Sequence, residues 1–306
     1  MVIRKLVKQG AATLMVSIPA KWAKQNNLEK GSQVEVEESN SILKITTPKE
    51  KTKKEIILKI TEENKKDIQN ILTHAYREGF QIIKIENINK EIIREAQQIV
   101  DKMLLGFEIT SRSEKECIIE NVSEPSNKKY PELLKRVMSL IKETHVSVVQ
   151  DVKFGKYVSS SEVQAMREHL DKLVLFCRRV LLNESEKEVV LSWELLTFLM
   201  HIEHKYYYLY EYAKTKKFKA DKEILDIFED LEKYYAFLDN TITNKDITSI
   251  HKINILKKEY HFGKIPRLIE KANGKKAMVL CHINELFRLI QISSSPVLSI
   301  ILNIAR

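Results

Sequence analysis

Residues Met15 to Glu38 read MVSIPAKWAKQNNLEKGSQVEVEE, and they change character twice. An apolar strand runs into Ile18-Pro19. The proline fixes a φ suited to a helix start, so Ala20 to Asn27 reads as two turns of helix, ended near Gly31. Beyond the glycine, Val34, Glu35, Val36 and Glu37 alternate between apolar and acidic, the period of a half-buried strand. Upstream, Val2 to Lys8 and Thr13 to Ile18 read as strands separated by the turn-forming Gly10. Downstream, Gln33 to Glu37 and Ile42 to Thr46 flank Ser39-Asn40, a hairpin signal. A domain of residues 1–47 built from strands this short buries little apolar area alone, so it is expected to need a second copy.

Charge is concentrated in the same region. The net charge is +9, and residues 1–54 carry eleven Lys/Arg against five Glu, which is +6 of that total. Such asymmetry directs a polyanion to the N-terminus, although a merely solvated basic face has the same composition. The placement is more telling. If the first strand alternates, Arg4 and Lys8 share a face while Lys5 takes the other, and Lys21 and Lys24 lie three apart on one face of the short helix. Flexible cations on a sheet and helix can meet DNA phosphates without a recognition helix, and counterion release would make binding steeply salt-dependent.

The run Pro48 to Lys54 reads as a charged linker. After it, strand and helix alternate over 55–122: strand Ile56 to Ile60, a helix capped by Thr61 and ended by Gly79, strand Gln81 to Ile85, a helix from Asn89 to Leu105, then strands Phe107 to Thr110 and Glu116 to Glu120. That is a small α/β domain. From Tyr130 onward apolar residues recur at three- and four-residue spacing, as in Leu170, Leu173, Val174, Cys177 and Leu181. Two helices therefore precede four more, over Val189 to Lys214, Asp221 to Ile242, Ile247 to Tyr260 and Ile265 to Ile292. Phe198 to Glu203 is similar to Val279 to Asn284 at an offset of 81 residues, which divides the six helices into three-helix bundles at 128–214 and 221–306. The fold class expected is thus multidomain α+β, with a β domain in front, a small α/β segment in the middle and an all-α pair of bundles behind.

Composition narrows the function. With 43% hydrophobic and 30% charged residues and only seven Gly and six Pro, the chain reads as a helix-rich globular protein. Cys117, Cys177 and Cys281 are odd in number and widely spaced, so they read as reduced thiols or core residues. No signal-peptide core opens the chain and no apolar run approaches the roughly 20 residues of a membrane span, so a cytoplasmic protein, not embedded in a membrane, is expected. Phosphate-cradling glycine loops, a GxSxG elbow and HExxH are all missing, so no enzyme is expected. For a metal, His201, Glu203 and His204 are candidate ligands: His201 and His204 share a helix face while Glu203 points elsewhere. The alternative is a polar rim interleaved with Tyr206, Tyr207, Tyr208 and Tyr210.

Arg4-Lys5-Leu6, Gly10, Met15-Val16-Ser17-Ile18-Pro19, Trp22, Leu28, Gly31, Val34 and Val36 together resemble the AbrB/SpoVT (also MazE) DNA-binding domain. That resemblance implies an intertwined dimer of swapped hairpins in which Arg4, Lys5 and Lys24 face double-stranded DNA; Lys8 and Lys21 join them on physical grounds. Where that family often has a further Arg after Gly10, this chain has Ala11-Ala12. Residues 55–306, with Ala75-Tyr76, Gly79-Phe80 and Leu105-Gly106-Phe107-Glu108-Ile109, resemble the archaeal form of the PhoU phosphate-uptake regulators. The family's ExxxD metal motifs are not intact here: the aligned positions are Met200 and His204, then Cys281 and Glu285, so Glu285 joins the candidate ligands and any cofactor is left open. The resemblance implies a regulator of phosphate uptake or a related response, acting as a homodimer or higher oligomer. The competing expectation is an adaptor that restrains a phosphate transporter or kinase, with the front domain serving only dimerisation.

Overall fold

The computed structural model describes residues 3–10, 13–39, 42–47, 53–123, 129–183 and 186–304. The chain divides into two units, residues 1–53 and 54–306.

The first unit holds two separate hairpins and one short helix. Strands β1 (Val7–Gln9) and β2 (Thr13–Met15) pair antiparallel with Lys8 opposite Leu14, α1 spans Ala20–Gln25, and β3 (Glu35–Ser39) pairs with β4 (Ile42–Thr46). The first strand is shorter than the sequence suggests, because Ile3 to Leu6 meet no partner strand among the described residues. Likewise α1 stops at Gln25, where the Asn26 side chain bonds the Trp22 carbonyl and Asn27 adopts a left-handed φ of 52°. The Asn40 half of the expected turn, Ala11-Ala12, and residues 48–52 of the expected linker lie outside the described residues. Of the described residues in this unit, none is buried.

In the second unit β5 (Glu55–Lys59), β6 (Ile82–Glu86), β7 (Phe107–Arg112) and β8 (Glu116–Asn121) form one sheet in the order β5-β6-β8-β7, with β5 and β6 parallel and the other pairs antiparallel. Alternation decides its faces. Ile83 and Ile85 pair across to Ile119 and Cys117, all four wholly buried, whereas Lys84 on the opposite face pairs with Glu55 at 2.6 Å. The buried face packs against α2 (Ile68–Arg77) and α3 (Lys90–Met103), whose Leu72, Tyr76, Ala96 and Val100 complete the core. Helix α3 starts where Asn89 caps it, accepting from the Ile92 N–H at 2.9 Å. Helix α2, by contrast, does not start at Thr61: the Asn64 side chain takes the Thr61 N–H and a 3-10 turn intervenes, delaying the helix to Ile68.

Gly106 closes the connection from α3 to β7. Its φ is +81°, its carbonyl accepts from Val122 and Ser123, and a Cβ there would run into the Ser123 carbonyl oxygen. Gly106→Ala therefore combines an unfavourable backbone with a backbone clash, and it should lower stability by about 2–3 kcal/mol, read from the urea midpoint of unfolding.

The remaining helices are α4 (Tyr130–Phe154), α5 (Ser160–Val180), α6 (Glu186–Thr215), α7 (Lys222–Asn244), α8 (Ile247–Glu259), α9 (Ile265–Lys271) and α10 (Gly274–Ile304). Asp221 and Asp246 cap α7 and α8 through the Ile224 and Thr248 N–H groups. The single helix expected over 265–292 is broken, because Ala272 is extended and Gly274 takes a φ of +55° before α10 begins. One apolar core runs through α4 to α10. The 81-residue repeat is visible in it: Leu199, Ile202, Tyr206 and Leu209 on α6 correspond to Leu280, Ile283, Phe287 and Ile290 on α10, all buried, and α6 packs along α10. Helix α10 also corrects the expectation about apolar runs. Gly274–Leu302 is long enough to cross a bilayer and apolar enough over its most apolar 18 residues, which have a mean hydropathy of 1.3, although half of that window is buried in the core. Polar residues such as His282, Glu285 and Arg288 interrupt its apolar run in sequence while leaving the average high.

Candidate nucleic-acid interface

Lys8 lies on β1, Arg4 and Lys5 on the segment before it, and Lys21 and Lys24 on α1. All five are exposed, and none makes an ion pair among the described residues. Only Lys8 lies in a paired strand, where the register puts it on the Leu14 face; for Arg4 and Lys5 the expected alternation has no ladder to fix it. On α1 the three-residue spacing of Lys21 and Lys24 falls within one helical turn, with Trp22 and Ala23 half-buried between them.

The same unit exposes Leu6, Val7, Leu14, Met15, Val16 and Ile18. The sequence points to this surface: Leu6, Met15, Val16 and Ile18 are among the residues that carry the resemblance, and a unit with strands this short is expected to need a second copy, although Val7 and Leu14 are not among those residues. Clustered exposure of this kind marks an interaction surface.

The metal candidates separate. His201, His204 and Glu285 line an open groove of about 810 Å³ between α6 and α10, together with Lys205, Tyr208 and Cys281. Two of the candidates are already engaged: His204 Nε2 lies 2.7 Å from Asp171 Oδ1, and Arg288 holds Glu285 through two hydrogen bonds of 2.9 and 2.7 Å, keeping that carboxyl below its usual range. Burial, with the nearby cationic groups, lowers the His201 pKa. Among the described residues no three His, Cys, Asp or Glu are grouped to hold a metal ion.

Glu203 leaves this set entirely. It points into the helical core, where Thr144 Oγ1 donates to its Oε1 at 2.7 Å and its Oε2 has no partner. The polar rim expected around it is also half core. Tyr206 is buried with its hydroxyl 2.9 Å from His145 Nδ1, and buried Tyr210 donates to Asp151 at 2.7 Å, while Tyr208 is exposed.

Residues 7–54 match the family model described as antidote-toxin recognition MazE, bacterial antitoxin. The front of the chain is thus a MazE/AbrB-type domain, and the match covers under a sixth of the 306 residues. No curated protein and no solved structure matches the chain.

Proposed function

We propose that the chain is a DNA-binding transcriptional regulator, not an enzyme, acting in the cytoplasm as a homodimer held together by its front domain. The observation that carries this reading is the combination in one MazE/AbrB-type unit of five exposed cations without ion-pair partners among the described residues and a set of exposed apolar side chains on and beside its first two strands. A second copy covers the apolar surface, and pairing two chains doubles the cations available to one duplex. Residues 54–306 serve as sensor or adaptor. Their resemblance to PhoU regulators is the support for phosphate uptake as the response controlled. The adaptor reading, in which the front domain only dimerises, would be favoured by cations neutralised within their own unit, and Arg4, Lys5, Lys8, Lys21 and Lys24 have no such pairing with Glu35 or Glu38.

The test is titration of the full chain with its own upstream DNA and with an unrelated duplex across a range of salt, beside an Arg4→Ala/Lys24→Ala variant. Binding should weaken steeply with salt. The variant removes up to four phosphate contacts per dimer, so its affinity should fall about 10–100-fold and its salt slope should flatten by about 3–4. Failure to bind any duplex at low salt overturns the reading.

A further inference from the structure

Within residues 54–306, the end of α2, the last turns of α5 and the start of α6 bring together two arginines and one indole. The guanidinium carbons of Arg77 and Arg178 lie 5.8 and 5.4 Å from the centre of the Trp193 ring. Arg178 is only 6% exposed. One of its terminal nitrogens donates to Thr197 Oγ1 at 2.7 Å, and one of Arg77's lies 2.9 Å from His74 Nδ1. What remains is unusual: Arg77 Nε, Arg178 Nε and Trp193 Nε1 are all buried N–H donors with no acceptor.

The charges are as unbalanced as the hydrogen bonds. Arg77 and Arg178 make no ion pair among the described residues, and burial together with the Arg77 charge disfavours the charged form of Arg178. The next cation along, Arg179, is committed to the Tyr76 and Phe80 carbonyls at 2.7 and 3.0 Å. Among the described residues the carboxylate acting on Arg178 is Asp171, which already holds His204 at 2.7 Å and Arg167 at 4.0 Å. An uncompensated buried charge is among the costliest features a fold can carry, and stacking on an indole returns only a fraction of that cost. Water could accept the three N–H groups but would leave both charges unbalanced.

An acceptor that is also an anion resolves both deficits at once. We infer that Arg77, Arg178 and Trp193 form a binding site for a small tetrahedral oxyanion, either free or as the phosphoryl or sulfate end of a larger molecule. Two guanidinium Nε–H groups and an indole N–H suit several oxygens of one ligand, and arginine's fixed fork makes such contacts charge-assisted. The inference goes beyond the DNA-binding reading and does not depend on it.

The test is thermal unfolding of the full chain, followed by helical circular dichroism, in a buffer free of phosphate and sulfate. Sodium sulfate, sodium phosphate and glycerol phosphate are each compared with sodium chloride at equal ionic strength. The melting point should rise by about 5 °C once the ion is at roughly a hundred times its dissociation constant. A rise with the inorganic ions assigns a free ion, and a rise with the ester alone assigns a phosphoryl group on a larger molecule. The rise should disappear in Arg178→Gln and in Arg77→Gln, each of which should fold in chloride at least as well as the parent, because each removes an unbalanced charge. Melting that responds to chloride equally well overturns the site. So does an oxyanion-independent melting point that falls when Glu184, which precedes α6 in sequence, and Glu186 and Glu188, in its first three residues, are changed to Gln.

Discussion

Changing Glu203 to glutamine should stabilise the helical part at pH 9 by about 4 kcal/mol while leaving its stability at pH 4.5 nearly unchanged. The carboxyl is fully buried, and its pKa is raised from 4.5 to about 8, chiefly by burial and further by the charge of Asp171, against the opposing Thr144 hydrogen bond. Among the described residues no cation pairs with it, and Arg167 acts on it only as a lesser opposing charge. His145, the residue after Thr144 on the facing helix, is itself pushed down to about 4 by burial and so is neutral above that pH. The direction follows from proton counting. Between pH 4.5 and 8 the folded state keeps a proton that the unfolded state has released, so stability is full below 4.5 and is lost progressively as pH rises through 8. Glutamine retains the Oε1 acceptor for Thr144 and has nothing to ionise. Urea unfolding across pH should therefore show the parent declining on the alkaline side and Glu203→Gln flat there; parallel curves would rule out the buried acid as the cause. On the acid side His145 and His282, both lowered to about 4, have the opposite sign: their unfolded forms bind more protons, so stability falls as pH drops from 6.5 through 4 in both proteins.

Glu203 also marks the boundary of what the sequence makes legible. Helical spacing separates it from the His201 and His204 face, and that separation holds. Spacing alone gives no sign that the other face is a sealed core, because tyrosines at 206 and 210 suit a wet rim and a buried network equally well. Periodicity and caps locate most elements: β4 falls on Ile42–Thr46 as expected, and Asn89 and Asp221 mark the starts of α3 and α7. The starts and breaks that depend on one local competition are harder. Asn64 displaces the start of α2, and an isolated glycine at 274 separates α9 from α10 although the apolar pattern runs across it. The Arg77, Arg178 and Trp193 cluster leaves no trace in the sequence. Three separate helices supply its members, and only packing of α2 against α5 brings Arg77 to the other two.

Placing aspartates at Leu14 and Val16 together should make the protein monomeric and unfold its front unit while residues 54–306 stay folded. That front unit has no buried residue among those described, so within one chain its hairpins gain almost nothing from apolar burial. Isolated two-stranded hairpins are marginal in water, and β1 and β2 are three residues each. Covering Leu6, Val7, Leu14, Met15, Val16 and Ile18 with the same surface of a second chain would contribute roughly 5–10 kcal/mol per chain, enough to convert an unstable ribbon into a folded domain. Two buried carboxylates would cost more than that gain, since each must be desolvated or neutralised. Sedimentation should therefore shift from dimer to monomer in Leu14→Asp/Val16→Asp. Limited proteolysis should cut within the first 53 residues and spare the second unit, whose helical core is independent of β1 and β2. A double variant that remains dimeric would place the interface in the second unit. It would also detach DNA binding from dimerisation, because the cations at Arg4 and Lys8 would then have no twin held beside them. If the variant is monomeric and its DNA affinity falls with it, one apolar surface sets both the oligomeric state and the charge presented to the duplex.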